Sequence, residues 1–225
     1  MPICASGEIA LGGSTVGRSV NLELSRSATA AICMNETAVR SLAGVPSGAI
    51  SMNCFYGRSA PPTSLGQVYE GGYYTGVIDI GGGVTYYMVL SPQASGESRQ
   101  QWKTSRTSTA GTCSTVDGRL NTSNMNNSDH PAAQFTATRS INGYADWYFP
   151  ALNETGTMFT NRGSMPAGQG YGGLGGTLPF TYFTSTENGT FAWTRCFTDG
   201  SARNNGYKNN AVGGLPVRAL RRVRT

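Results

Sequence analysis

The run TYFTSTENGTFAWTRCFTDG, residues 181–200, decides the fold of the chain that carries it. Polar and aromatic residues form strand-like segments on either side of Asn188-Gly189, a dipeptide typical of tight hairpin turns. Asp199-Gly200 provides a second turn signal. Further on, Val217–Val223 has the pattern of a final strand, with Val217, Ala219, Arg221 and Val223 on one face. The chain is therefore predicted to end in antiparallel strands.

Residues 201–210 lie between the second turn and the final strand and contain almost no apolar side chains. Aromatic rings combined with amide and guanidinium groups suit the dense hydroxyl groups of sugars. The predicted ligand-binding residues are Glu187, Asn188, Trp193, Arg203, Asn204, Asn205, Tyr207, Lys208 and Asn209. The alternative is that Trp193 belongs to the core and the Asn-rich run is an ordinary solvated hairpin.

Several runs in the second half of the chain resemble a known family. Residues 142–150, NGYADWYFP, are similar to the most specific signature of the DUF1566 (Lcl-type) domains, and residues 66–72 and 217–222 resemble that family's opening and ending. The signature residues are Asp146, Trp147, Pro150 and Arg218. The resemblance implies a C-type-lectin-like domain with two short helices, twisted antiparallel sheets and long Gly/Asn-rich loops. In such folds the C-terminal strands and loops often carry the ligand surface.

The first part of the chain resembles a different group of proteins. Residues 45–57, VPSGAISMNCFYG, are similar to the N-terminal modules of tailed-bacteriophage virion proteins. This resemblance implies a tail or fibre component whose N-terminal part docks to the virus particle. The implied attachment residues are Ile50, Met52, Phe55 and Tyr56.

Composition favours a folded chain with short strands and long loops. Of the 225 residues only 13% are charged, about half the usual ~25%, and 31 are Gly. Eleven Tyr, eight Phe and three Trp are enough to build a core. The net charge is +5, and four of the last eight residues are Arg. Such a cluster suggests nucleic acid, but we expect these arginines to pair locally from a terminal strand, and we expect no nucleic-acid partner.

Five cysteines, at positions 4, 33, 54, 113 and 196, match no zinc-binding or complete disulfide pattern. We expect them to be mostly reduced and buried. The first residues carry no secretory signal pattern, and no apolar run is long enough for a membrane-spanning helix, so we expect no membrane insertion.

The predicted fold class is α+β, in two parts joined by a Pro-rich linker. Residues 1–59 form a small β-rich module, residues 60–64 the linker, and residues 65–225 the lectin-like domain. In the module, Ser19–Leu24 alternates like a strand. A helix is predicted from an N-cap at Asn35 to about Ala43, and a second over Met52–Tyr56 after Ser51. Two such short helices bury little surface, so we expect a homo-oligomer.

Within the second part, Gly76–Asp79 and Val84–Leu90 are predicted to form a hairpin, and Trp102 to be core. Residues 121–129 have the composition of a polar loop without the spacing of a calcium-binding loop. Helices are predicted from Pro131 and from Pro150. Residues 163–176 are predicted to be a Gly-rich surface loop with a contact role.

No catalytic set is recognisable. His130 lacks a motif that would pair it with a nucleophile. Four carboxylates are candidates for glycan cleavage: Asp146, Glu154, Glu187 and Asp199. We expect Asp146 to accept backbone donors instead. The chain is therefore predicted not to be an enzyme, and to hold no cofactor and no metal ion.

Two functions follow as hypotheses. In the first, the chain is a structural tail or fibre component of a bacteriophage particle, assembled in the host cytoplasm. Its N-terminal module contacts other virion tail proteins, and its lectin-like domain binds a host-surface glycan or protein. In the second, the lectin-like domain packs on neighbouring virion subunits and binds no receptor.

Overall fold

The computed structural model describes residues 2–45, 47–169, 180–209 and 214–225. The chain divides into two compact units, Met1–Thr63 with Val68–Glu70, and Ser64–Gln67 with Gly71–Thr225. Asn210 and much of the predicted Gly-rich loop at 163–176 lie outside the described residues.

The first unit consists mostly of turns and irregular segments where it is described, with three short helices and one two-residue strand, so the prediction of a β-rich module is wrong. It contains α1 (Val20–Glu23), α2 (Thr37–Ala43), a 3-10 helix (Met52–Phe55) and the two-residue strand β1 (Val68–Tyr69). Its core is formed by the buried side chains of Ile3, Val20, Val39, Leu42, Ala43 and Phe55.

The predicted strand at Ser19–Leu24 is the short helix α1. The hydroxyl of Ser19 accepts a hydrogen bond from the backbone N–H of Leu22 at 3.3 Å, which is the geometry of a helix N-cap. Six residues are too few for alternation alone to separate a strand from a single helical turn.

The helix predicted to end at Ala43 is present as α2. Gly44 has a left-handed φ of 69°, and the N–H of Val45 donates to the carbonyl of Arg40 at 3.0 Å. These are the features of a glycine C-cap, so the predicted stop signal is confirmed. The helix begins at Thr37, after Glu36 as N-cap, one residue later than an N-cap at Asn35 would place it.

The second unit is a mixture of short helices and antiparallel strands, which confirms the α+β class. Its elements in chain order are β2 (Gly72–Asp79), β3 (Thr85–Leu90), α3 (Gln93–Gly96), β4 (Glu97–Gln100), α4 (Gly118–Asn124), α5 (Pro131–Ala137), α6 (Leu152–Thr160), a 3-10 helix (Arg162–Ser164), β5 (Thr181–Asn188), β6 (Phe191–Cys196), β7 (Ala202–Tyr207), β8 (Leu215–Arg218) and β9 (Leu220–Arg224). The strands pair as β2–β3–β9, β4–β8 and β5–β6–β7.

Both predicted hairpins are present, as β2–β3 and β5–β6, and α5 begins at Pro131 as predicted. The helix predicted from Pro150 begins two residues later, at Leu152. The predicted polar loop at 121–129 is partly wrong, because α4 continues to Asn124.

The final strand is divided at Ala219, so the prediction of one strand over Val217–Val223 is wrong. β8 pairs with β4, whereas β9 pairs with β3. Val217, Ala219 and Leu220 are fully buried. The single strand was predicted from an alternation between a buried face and an exposed face. Because neighbouring residues here are all buried, that alternation is absent.

The arginines of this segment pair with carboxylates, as expected. Arg218 contacts Glu97 at 3.0 Å and Arg222 contacts Asp117 at 2.8 Å. Arg221 pairs with Asp146.

Candidate functional site

The hairpin of β5 and β6 is closed by a two-residue loop, Gly189-Thr190. Asn188 lies opposite Phe191, and Gly189 has a φ of 59°. A positive φ at the first of two loop residues is the requirement of a type II′ turn, which glycine meets without steric cost. The loop therefore starts one residue later than the Asn-Gly pair alone suggests.

Strand β7 lies at the edge of the β5–β6–β7 sheet and contains a β-bulge. Ala192 lies opposite Gly206 and Thr194 lies opposite Arg203. Two residues of β7, Asn204 and Asn205, therefore stand against the single residue Trp193. A bulge of this kind bends an edge strand and redirects its side chains.

Most of the predicted ligand-binding residues lie at the surface of this edge. Asn188, Arg203, Asn204 and Asn205 are exposed, and Tyr207 is 55% exposed. Trp193 and Asn209 are half-buried.

Glu187 and Lys208 do not belong to that surface. Their side chains are 6% and 0% exposed and form an ion pair with each other. The sequence places both residues among polar surface residues, but the burial of each charge is made possible by the other. We therefore remove both from the predicted contact set.

Arg106, which sequence analysis missed, completes a cluster of rings beside β7. Its guanidinium lies 4.5 Å from the ring centre of Tyr207 and 5.1 Å from that of Phe191. The two rings are cross-strand neighbours with their centres 5.6 Å apart. We call Arg106, Phe191 and Tyr207 the Arg106 platform.

The loop at residues 103–112, which carries Arg106, is fixed by hydrogen bonds to the buried ion pair of Glu187 and Lys208. The Glu187 carboxylate accepts the N–H of Thr109 at 2.8 and 2.9 Å and the hydroxyl of Thr112 at 2.5 Å. The Lys208 ammonium donates to the carbonyls of Thr107 at 3.0 Å and Gly189 at 2.8 Å. The pair thus joins the loop to the hairpin turn.

A second set of contacts fixes the same loop. The Lys103 ammonium donates to the carbonyl of Ser108 at 3.0 Å and to the hydroxyl of Thr109 at 2.9 Å. A ring nitrogen of His130 lies 2.9 Å from that hydroxyl. Burial, and then the charge of Lys103, lower the pKa of His130, which favours the neutral imidazole. His130 is therefore placed as a structural partner of the loop.

Trp102, predicted to be core, is fully buried, and the Lys208 ammonium lies 4.4 Å from the centre of its ring. The Arg106 platform is therefore supported by a buried network of hydrogen bonds and a cation–π contact.

The four signature residues have structural surroundings. Trp147 is buried and its ring N–H donates to the carbonyl of Tyr144 at 2.9 Å, while the buried Pro150 accepts the N–H of Ser185 at 2.8 Å. Arg218 is 1% exposed and donates to Ser91 as well as Glu97. The expected role of Asp146 as an acceptor of backbone donors is not what we observe, because its partner is the Arg221 guanidinium.

The predicted attachment residues of the first unit differ in accessibility. Phe55 is fully buried in the core, so its side chain is unavailable for docking. Ile50 is half-buried, as are Met52 and Tyr56. The last two line an open cavity of about 550 Å³ together with Arg18, and the Tyr56 hydroxyl donates to the carbonyl of Gly7 at 2.5 Å.

The five cysteines are free thiols, but the expectation that most are buried is wrong. Cys196 is buried, Cys33 and Cys113 are exposed, and Cys4 and Cys54 are intermediate. In the ranges that the structure describes, no helix is long and apolar enough to cross a membrane. Those ranges also contain no group of three or more His, Cys, Asp or Glu residues arranged to hold a metal ion.

No protein-family model, curated protein sequence or solved structure matches this chain.

Proposed function

We propose that this chain is a tail-associated virion protein whose second unit binds a glycan or protein on the host surface. In this proposal the second unit has C-type-lectin-like topology, and its binding surface is the β6–β7 edge with the Arg106 platform. The first unit attaches to the particle through its cavity, where Met52 and Tyr56 supply apolar and aromatic contact surface. The sequence resemblances to phage virion modules and to DUF1566 domains support this assignment.

The observation that carries the proposal is that exposed polar and aromatic side chains at β7 are supported by a buried ion pair. The exposed side chains there include an aromatic ring, two neighbouring amides and two guanidinium groups: Asn204, Asn205, Tyr207, Arg106 and Arg203. Beneath them the buried Glu187–Lys208 pair fixes the strand end to the 103–112 loop. Polar and aromatic groups held rigidly lose little conformational entropy on binding, which favours recognition of a polar ligand.

The second candidate function is a purely structural one, and the edge position of β7 favours it. The residues Ala202–Asn205 are exposed at the side of the sheet that no strand covers among the described residues. Such an edge can accept a strand from a neighbouring subunit. In that case the particle would bury the residues that a receptor otherwise contacts.

The test uses the full chain on a glycan array and on host cells. Tyr207→Ala and Asn205→Ala should each reduce binding while the circular dichroism spectrum is kept. Arg119→Ala removes an exposed cation on α4 and should leave binding unchanged. Absence of binding to glycans and to cells, together with β7 buried against another subunit in the assembled particle, would overturn receptor binding and favour the structural role.

A further inference from the structure

We propose that the Arg106 platform recognises the carboxylate of an acidic sugar, so that the ligand class is a uronate-type polysaccharide and not a neutral one. This inference rests on the proposed function and specifies the ligand of the same surface.

The first observation is that Arg106 has free donors in a fixed place. Its guanidinium lies against the rings of Phe191 and Tyr207, and it forms no hydrogen bond or ion pair with any residue in the described part of the chain. Other arginines of this unit, such as Arg218 and Arg222, are paired with carboxylates. The N–H groups of Arg106 are thus available to a ligand, while ring contacts restrict the motion of the group that carries them.

The second observation is the net charge of the buried groups that contact the 103–112 loop. The ammonium groups of Lys103 and Lys208 both bond to carbonyls of the 103–112 loop, whereas a single buried carboxylate, that of Glu187, faces them. With His130 neutral, the buried groups of this cluster hold two positive charges and one negative charge, and the further carboxylate that acts on His130, that of Asp129, is exposed to solvent. A net positive charge in a medium of low dielectric constant attracts an anion to the surface above it.

The backbone of the loop adds a third feature. The carbonyl of Thr107 is turned inward to the Lys208 ammonium. In a trans peptide the following N–H, that of Ser108, points the opposite way. That N–H has no partner among the described residues and lies two positions from Arg106.

These features match one planar, singly charged group. A guanidinium presents two parallel N–H donors whose spacing fits the two oxygens of a carboxylate. The hydroxyl groups of the same sugar would be left to the amides of Asn204 and Asn205. A sulfate or phosphate ester can also present two oxygens to a guanidinium, but it is tetrahedral and has a third oxygen outside the guanidinium plane, whereas both oxygens of a carboxylate lie in that plane and are satisfied there.

The experiment measures the affinity of the full chain for matched oligosaccharides. A uronate oligomer is compared with its carboxyl-reduced neutral counterpart of the same linkage, and with a sulfated derivative of that neutral oligomer. The acidic oligomer should bind at least about tenfold more tightly than the neutral one, with the difference falling as salt rises. Equal binding of acidic and neutral oligomers, or a preference for the sulfated one, would overturn the inference and leave the proposed function standing.

Variants then locate the effect. Arg106→Lys keeps the positive charge but removes the two parallel N–H donors of the guanidinium. Arg106→Gln removes both the charge and these donors. Each should abolish most of the tenfold preference, because it lowers the affinity for the acidic oligomer by more than it lowers the affinity for the neutral one, whereas Arg119→Lys should change neither affinity. Retention of the preference in both Arg106 variants would contradict the inference. Binding to host cells without binding to any of the three oligomers would also refute it, while binding to neither cells nor oligomers would refute the proposed function itself.

Discussion

Lys208 and Glu187, which are 21 residues apart, form an ion pair inside the second unit with side chains 0% and 6% exposed. Burial lowers the pKa of Lys208, and the bond to Glu187 acts in the opposite direction. Each charge is tolerated in the interior because the other is present. The surface that we assign to ligand binding therefore depends on two residues that no ligand contacts.

Removal of both members of this pair should cost less stability than the sum of the two single removals. Lys208→Met leaves the Glu187 carboxylate without its counter-ion and should lower the free energy of unfolding by about 3–5 kcal/mol. The double variant with Glu187→Gln should lose less than the sum of the two single changes. Urea denaturation followed by tryptophan fluorescence measures this directly, since Trp102, Trp147 and Trp193 all lie in the second unit.

Arg224→Met provides the matched control, because it removes an exposed cation from the end of β9. It should alter the free energy of unfolding by less than about 0.5 kcal/mol. Strictly additive losses in the double variant would show that the two charges do not stabilise each other.

The turns of this chain were the most predictable part of its fold. Gly44 ends α2, Pro131 begins α5, and the turn at Gly189 joins β5 to β6, each through a backbone requirement of a single residue. Short elements without such a marker were harder to predict. The Ser19–Leu24 run and the division of the last strand at Ala219 depend on which neighbours cover each face, and that information is not local.

The candidate site shows the same limit. The exposed residues of β7 were predictable, because a run of Asn, Arg and Tyr without apolar neighbours indicates a surface. The burial of Lys208 was not, since a polar run gives no sign of a partner 21 residues earlier. Arg106 was missed because its contact with Tyr207 joins segments that are about a hundred residues apart in the chain.

Gly206 should tolerate no side chain, because it lies where β7 approaches the core. A Cβ atom there would lie 2.7 Å from Thr194 Cγ2 and 2.9 Å from the Ala192 carbonyl oxygen. Gly206→Ala should therefore destabilise the second unit by about 1–3 kcal/mol in the same denaturation assay. Gly163→Ala, where no atom lies within 4 Å of the added Cβ, is the control and should have little effect. Equal stability of the two variants would mean that β7 shifts freely at this point.

Phe55 should be a core residue and not a docking residue of the first unit. Phe55→Ala removes a fully buried ring and should cost about 3–5 kcal/mol. Tyr56→Phe, which removes only the hydroxyl bonded to Gly7, should cost about 0.5–1.5 kcal/mol. Hydrogen exchange of the α2 amides in the full chain measures both effects, with β5 amides as an internal reference. Unchanged α2 protection in Phe55→Ala would contradict this placement.

Glu154 should make the stability of the second unit depend on pH. Its carboxylate is fully buried at the start of α6 and accepts the Tyr148 hydroxyl at 2.7 Å and the N–H groups of Ala151 at 2.7 Å and Gly118 at 3.2 Å. Burial raises its pKa to about 7, an effect that the bonds from Ala151 and Tyr148 and the charge of Arg222 only partly offset. The charge of Asp117, which also faces this group, raises the pKa further.

The pKa of Glu154 is higher in the folded chain than in the unfolded chain. Between about pH 4.5 and 7 the folded chain therefore binds a proton at Glu154 that the unfolded chain has lost. The contribution of this proton to the free energy of unfolding is therefore fully present below about pH 4.5. It is lost as the pH rises to about 7, and the loss is about 3 kcal/mol. Glu154→Gln should remove this dependence. His130, whose pKa is lowered, contributes a slope of the opposite sign, but it does so in both proteins and cancels in their difference. Denaturation of the two proteins from pH 4.5 to 7.5 measures that difference, and parallel curves would show that Glu154 stays ionised in the folded chain.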